Sequence, residues 1–385
     1  MSTKFRPIKL AFNAVPLLSP LTGIGQYADN LLREFDLYEQ TNTYKFYGSN
    51  WAFERASNQQ IKTAGVLKKI IRHVVPNARA LSRGVQQFRF SAGVKRFKPD
   101  LYHEPNYLAF HFDGPTVITV HDLSWIRYPE MHPIERVRAM NKYFEPALRR
   151  ATKIITDSQF VKDELVDVFG VNATDITPVY LGAEEMFRPM DPSETQQILQ
   201  NHGLQHGAYW LGVGTLEPRK NLQLALSAFM RLPKLDRQAC PMVLVGMKGW
   251  RTDALEAQLA PLVLSGEVRV LGYLSRAELV TLMAGAKALI YPSVYEGFGL
   301  PPLEAMCCGV PVITSNVSSL PEVVGDTGIL IDPLDIDGLT EQMLKLRHDE
   351  NLCKRMGAAA LGRSKQFSWA QCAQNTMQVY QAALA

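Results

Sequence analysis

The chain of 385 residues lacks any apolar run approaching the roughly 18 residues that a bilayer span needs. Its five cysteines (Cys240, Cys307, Cys308, Cys353 and Cys372) are odd in number and contain no CxxC pair. That argues against a disulfide framework or a zinc cluster and fits a reducing cytoplasm. No group of carboxylates at metal-ligand spacing stands out, and no repeat recurs at a solenoid period. The opening "LAFNAVPLLSPL" faintly imitates a secretory leader, but Asn13, Pro16 and Pro20 interrupt it and no small-residue cleavage site follows. A first buried strand is the better reading. Acidic residues are missing altogether from Arg55 to Pro99, where Lys62, Lys68, Lys69, Arg72, Arg79, Arg83, Arg89, Lys95, Arg96 and Lys98 accumulate. With Val66, Leu67, Ile70, Ile71, Val74 and Val75 among them, the stretch suits either an amphipathic helix on an anionic membrane or a solvated basic face. No nucleic-acid module accompanies it, so nucleic acid is not expected as a partner.

What is present describes a soluble globular protein, with 46% hydrophobic and 20% charged residues and a net charge of only +4. The length exceeds what one core usually fills, so two domains are expected. In the first half, "IKLAFNAV", "YKFYG", "DLYH", "TVITVH", "TKIITD" and "ITPVY" alternate with helical patterns. A polar break, "LGAEEMFRPMDPSE", is followed by a second series: "YWLGVGT", "PMVLVGM", "VRVLGY", "ALIYPS", "PVITS" and "GILIDP". These runs do not alternate, which marks strands of parallel sheets buried on both faces. Helix ends are well punctuated, by Ser158 and Gly170 around "QFVKDELVDVF" and by a Ser275–Glu278 capping box. The expected organisation is α/β, two Rossmann-like doubly wound domains over residues 1–185 and 186–366, facing across a cleft, with a C-terminal helix over 367–385 returning to the first domain. Ligands of such sheets bind beyond the carboxyl ends of the strands.

The segment "TGIGQYADNLL" spells G-x-G-x-x-A with Gly23, Gly25 and Ala28, as a dinucleotide-binding turn does. A dehydrogenase is disfavoured, because "PLLSPL" separates the glycines from their strand and no ribose-binding carboxylate follows at the usual distance. A loop that brings backbone to a phosphate or sugar fits better. After "YWLGVGT", the adjacent Arg219 and Lys220 of "LEPRKN" sit at a strand-to-helix junction, where two cations and a helix start can hold a diphosphate. An exposed RK pair is the plainer alternative. The richest stretch is "YPSVYEGFGLPPLEAMCCGVP": Glu296 follows a strand, Glu304 lies eight positions on along a helix, and Gly297 and Gly299 free the backbone between them. A carboxylate accepts two hydroxyl hydrogen bonds at once, so one glutamate could hold a hexose and the other a ribose.

"EGFGLPPLEA" resembles the E-x7-E signature of retaining glycosyltransferases of GT-B fold, family 4. "GTLEPRKN" is similar to that family's phosphate-binding element in bacterial mannosyl- and glucosyltransferases, "TGIGQYADNLL" to its glycine loop and "TVHDLSW" to its His-Asp segment. The resemblance runs from about residue 8 to the end and is weakest over 55–99. It implies that Arg219 and Lys220 grip the donor diphosphate, that Glu296 holds hydroxyls of the transferred sugar, and that Gly297, Phe298, Gly299 and Leu300 offer backbone contacts. It further implies that Glu304 binds the ribose, that Tyr273 and Leu274 border the base, that Gly23 and Gly25 approach the donor, and that His121 lines the sugar site. Many relatives carry a further Arg after the glycine of the phosphate strand, where this chain has Thr215 and Leu216. The implied reaction is metal-independent transfer of a hexose, mannose favoured, from GDP-mannose to a saccharide acceptor, lipid-linked in polysaccharide or lipopolysaccharide assembly. No cofactor is implied beyond that substrate. The implied place is the cytoplasm, at the inner face of the membrane. A sugar-nucleotide epimerase or a non-catalytic sugar-nucleotide binding protein of the same architecture is the rival reading.

Overall fold

The computed structural model describes residues 7–18, 23–37, 41–54 and 78–385, the side chains of 78–82 excepted. The part of the basic stretch from Arg55 to residue 77 therefore lies outside the described residues, as does the Arg79 side chain. The chain forms two compact units. The first carries a seven-stranded sheet in the order β3-β2-β1-β4-β5-β6-β7, from β1 (Ile8–Asn13), β2 (Thr41–Phe46), β3 (Trp51–Ala52), β4 (Leu101–Glu104), β5 (Thr116–Val120), β6 (Lys153–Thr156) and β7 (Ile176–Pro178). All its pairings are parallel except that of the short edge strand β3 with β2. The second carries a six-stranded, wholly parallel sheet in the order β10-β9-β8-β11-β12-β13. Its strands are β8 (Trp210–Val213), β9 (Met242–Val245), β10 (Val268–Gly272), β11 (Ala288–Tyr291), β12 (Val312–Ser315) and β13 (Ile329–Ile331). Both units are Rossmann-like.

The uninterrupted apolar runs have their cause in this layering. Every residue of β5, β9, β11 and β12 is buried, because helices cover both faces of a parallel sheet. In the second unit Trp210, Leu244 and Ile290 from the strands pack with Leu226 and Phe229 of the helix Leu222–Arg231 and Leu339 and Met343 of the helix Ile336–His348. Each such side chain contributes about 1.5–3 kcal/mol on burial. The first unit uses rings instead, with Phe46 edge-on to Phe90 at 5.4 Å and Phe90 stacked on Phe110 at 5.2 Å. The capping readings hold: the Ser158 hydroxyl accepts from Val161 N, Gly170 closes its helix at φ 61, and Ser275 and Glu278 form a complete capping box.

The units are not divided quite as expected. The first comprises Met1–Leu123, Arg138–Leu181 and Trp369–Ala385, and the second Ser124–Val137 and Gly182–Ser368. The terminal helix Trp369–Leu384 docks in the first unit, where Tyr380 OH pairs with His103 Nδ1 at 2.6 Å. The excursion of Ser124–Val137 into the second unit corrects the assignment of all of residues 1–185 to one domain. Among the contacts that join this segment to the second unit, Trp250 Nε1 donates to the Met131 carbonyl at 2.6 Å, and Tyr128 meets Tyr295 edge-on at 5.7 Å.

Candidate active site

In the second sheet the strand order reverses between β8 and β11. Such a switch point is where an open α/β sheet binds its ligand. The segment after β8 reaches Glu217, turns once through Pro218–Lys220 and passes Asn221 in the left-handed region at φ 54, whose side-chain amide donates to the Pro333 carbonyl at 2.8 Å. Gly214, at φ 139, leaves room for the Lys220 stem, which would lie 3.3 Å from an added Cβ. The segment after β11 carries Tyr295 and Glu296. The Arg219 carbonyl accepts from Val294 N at 3.0 Å, which ties the two segments together.

The side chains converge on one carboxylate. Glu296 Oε2 lies 2.8 Å from Arg219 Nη1, and Oε1 lies 2.6 Å from Lys220 Nζ. Lys220 also donates to Tyr291 OH at 2.6 Å, and that hydroxyl donates to Glu296 Oε1 at 2.9 Å. Arg219 reaches the Tyr295 carbonyl at 2.6 Å and Glu217 at 2.7 Å. Burial alone would raise the Glu296 pKa; the charges of Arg219 and Lys220 reverse this and hold it at about 2. Burial pulls the Lys220 ammonium below its ordinary range, against the attraction of Glu296. Two cations and two carboxylates, Glu217 and Glu296, thus sit desolvated at the switch point, and an anionic ligand would compete with those carboxylates for the cations.

Hydroxyls after β12 pin the glycine turn. Ser318 Oγ accepts from Glu296 N at 3.0 Å, while Ser319 Oγ lies 2.9 Å from the carbonyls of both Glu296 and Phe298. Phe298 is buried edge-on to Phe367 at 5.9 Å. Gly299 enters the helix Leu300–Cys307 at φ 113, and an added Cβ would meet Leu320 Cδ2 at 2.9 Å. Glu304 lies on that helix and is bound elsewhere, with Oε1 accepting from Arg276 Nη2 at 2.7 Å. Burial raises the Glu304 pKa and Arg276 opposes the rise. Tyr273 is largely exposed and Leu274 half-buried, both just beyond β10.

The first unit holds the remaining expected residues. Gly23 and Gly25 open the helix Gly23–Leu37, so their amides belong to the first turn, which has no acceptors within the helix. Gly23 is exposed with nothing within 4 Å of where a Cβ would stand. His121 follows β5 and is buried. Its Nδ1 pairs with Asp157 Oδ2 at 2.7 Å and its Nε2 with the Pro105 carbonyl at 2.8 Å. A ring between a carboxylate and a carbonyl is best satisfied when both nitrogens donate, an arrangement that favours the imidazolium. Burial lowers its pKa, but the charge and hydrogen bond of Asp157 and the Pro105 carbonyl lift it above the ordinary value. Tyr27, on the glycine helix, packs edge-on to the same ring at 5.0 Å.

Comparison with known proteins decides what such a chain is. The profile described as Glycosyltransferase Family 4 matches residues 22–185, and that described as Glycosyl transferases group 1 matches residues 195–363. O-antigen chain mannosyltransferase B of Escherichia coli is 36% identical over 379 residues, 97% of this chain and 99% of that protein. The chain belongs to glycosyltransferase family 4. The serotype-specific mannosyltransferase WbdA of Escherichia coli is 30% identical over 322 residues, which is 78% of this chain and 39% of WbdA. Among solved structures, Anabaena Alr3699/HepE in complex with UDP-glucose superposes with a TM-score of 0.74 at 19% identity, over 97% of this chain and all of that one. WaaG, a glycosyltransferase involved in lipopolysaccharide biosynthesis, gives 0.69 at 16% identity, over 95% and 98%. These neighbours share the GT-B fold.

Two ionisable residues of this glycosyltransferase, the half-buried Arg276 and the buried Glu104, escaped the sequence. Arg276 joins Glu304 to Glu184, and a signal for it existed: an Arg at the first position of a helix opposes the helix dipole and needs a tertiary partner. Glu104 ends β4 at the switch point of the first sheet. It accepts from Asn13 Nδ2 at 2.7 Å, Tyr102 OH at 2.6 Å and Asn106 N at 3.0 Å, and burial pushes it up to about 7. An acid closing a buried strand was the only cue.

Proposed function

We propose that this hexosyltransferase moves mannose from GDP-mannose to a lipid-linked saccharide with retention of anomeric configuration. The observation that carries the reading is the convergence of Arg219, Lys220 and Glu296 at the switch point of the second sheet. In this scheme the donor diphosphate takes over the two cations, and Glu296 turns to the hydroxyls of the sugar. The bond between the anomeric carbon and the phosphate oxygen breaks with its electron pair on phosphate. Arg219 and Lys220 neutralise that charge by fixed electrostatics, the part a metal plays elsewhere. The acceptor hydroxyl bonds the anomeric carbon from the same face, and its proton passes to the departing phosphate oxygen. A double displacement would need a carboxylate beneath the ring, whereas this scheme occupies Glu296 with hydroxyls. Glu304 and the segment Tyr273–Leu274 take the ribose and base, and Gly23 and Gly25 offer amides. His121, with both ring nitrogens engaged, supports its site as a fixed positive charge. The mannose and O-antigen assignments lean on the relatives' names.

The test is transfer from GDP-mannose to a lipid-linked saccharide, with the new linkage read by NMR. An α-mannoside, formed only when acceptor is present, supports the reading. An inverted product, or an isomerised donor without acceptor, defeats it.

For membrane contact, the helix Ala78–Phe97 exposes Phe88 at 75% and Val85 at 45% near the exposed Arg89, Lys95 and Arg96. Among the described residues no helix is long and apolar enough to cross a membrane. We propose peripheral binding to anionic lipid, seen as co-sedimentation with phosphatidylglycerol vesicles at low salt. Equal recovery in the supernatant with and without vesicles rejects it.

A further inference from the structure

Arg276 heads the helix Arg276–Ala284, two residues beyond Leu274, and the Ser275–Glu278 capping box fixes where that helix starts. Its guanidinium lies over the Phe187 ring, 4.5 Å from the centroid. Nε donates to Glu184 Oε1 at 2.9 Å, and Nη2 stands 2.7 Å from both Glu184 Oε1 and Glu304 Oε1. The Glu304 side chain is only 4% exposed, and its second oxygen carries no hydrogen bond to any described residue. One edge of the carboxylate is therefore anchored and the other is open to accept.

We propose that Arg276 is a positioning residue for donor recognition: it anchors one oxygen of Glu304 and orients the open one toward the ribose hydroxyls. This rests on the assignment of Glu304 to the ribose made above. The physical need is clear from the surroundings. A carboxyl this deeply buried favours its protonated form, which would turn one acceptor oxygen into a donor. Arg276 supplies the opposing charge, and the stacking on Phe187 and the second carboxylate of Glu184 prevent its guanidinium from rotating away. The Arg276 pair also explains why a cation tolerates the unfavourable positive end of a helix.

The experiment compares calorimetric affinities for GDP and 2′-deoxy-GDP at about pH 6 and about pH 8, the lower pH favouring the protonated form of a buried carboxyl and the higher its ionised form. Wild type is expected to prefer GDP by about tenfold or more at both, as for a hydroxyl hydrogen bond to a charged group. Arg276→Met loses most of that preference at the lower pH and regains part of it at the higher, where Glu304 ionises unaided. Arg276→Lys, the variant that folds more safely, shows the same trend at smaller size. Glu304→Gln loses the preference at both pH values. If either Arg276 variant keeps the full wild-type preference at both pH values, or weakens both nucleotides by one pH-independent factor, the positioning role is overturned. If wild type or Glu304→Gln fails its own expectation, the ribose assignment itself falls, an outcome separate from the first.

Discussion

Replacing Glu296 by glutamine removes one charge and almost no volume, so its effect isolates the electrostatics of the β8–β11 switch point. In the native chain the carboxylate serves Arg219 at 2.8 Å and Lys220 at 2.6 Å, with all three side chains at most 13% exposed. A carboxyl held at about 2 against an ordinary 4.5 corresponds to about 3 kcal/mol of folding stability. Because the folded pKa is the depressed one, that stability is complete above about pH 4.5 and disappears as pH falls toward 2. The variant should therefore unfold about 6–12 °C below wild type near neutrality, at the roughly 2–4 °C per kcal/mol usual for a unit of this size. The gap should narrow on acidification below about pH 4.5. Glu296→Gln leaves Lys220 without its carboxylate partner, while Arg219 keeps Glu217 at 2.7 Å, so the site gains net positive charge. Pyrophosphate or GDP should stabilise Glu296→Gln more than wild type, while turnover falls by about two to three orders of magnitude. The assay is thermal unfolding across a pH series, with and without pyrophosphate. A pH-independent gap, or stabilisation by pyrophosphate no larger than in wild type, would refute the reasoning.

Three further outcomes are expected. His121→Asn should remove a pH dependence of the first unit: the raised imidazolium stabilises fully below about pH 6.5 and loses its contribution as pH rises through the folded value, so melting curves of the variant should lack the alkaline decline that wild type shows. Gly299→Ala forces a side chain into φ 113 and against Leu320; about 1–3 kcal/mol should be lost, measured by urea denaturation, together with a rise in donor KM. Phe229→Ala leaves a cavity in the second core and should cost about 3–5 kcal/mol, with GDP affinity of the remaining folded protein unchanged by calorimetry.

The strands were legible because parallel sheets need apolar residues on both faces, which leaves long runs such as "PMVLVGM" and "ALIYPS" with no other home. β3 was invisible for the converse reason: Trp51 and Ala52 form a two-residue antiparallel edge with no periodicity to detect. The transfer of Ser124–Val137 to the second unit depends on contacts such as that between Met131 and Trp250, 119 positions apart, which no local pattern encodes. At the site, the types of Arg219, Lys220 and Glu296 could be read from their place after strands. Their mutual ion pairing could not, since it arises only when the sheet order sets β8 beside β11. His121 was legible as a strand-end histidine, yet its double engagement depends on Asp157 and Pro105, each reached only through tertiary structure.

The central claim is that the cations after β8 hold the diphosphate of a sugar nucleotide, and calorimetric titration of GDP-mannose into the Arg219→Ala, Lys220→Ala double variant tests it most directly. Loss of two charge-assisted contacts of about 1.5–3 kcal/mol each predicts affinity lower by at least about a hundredfold, with melting behaviour that still shows a folded second unit. Wild-type affinity in that folded variant would contradict the claim.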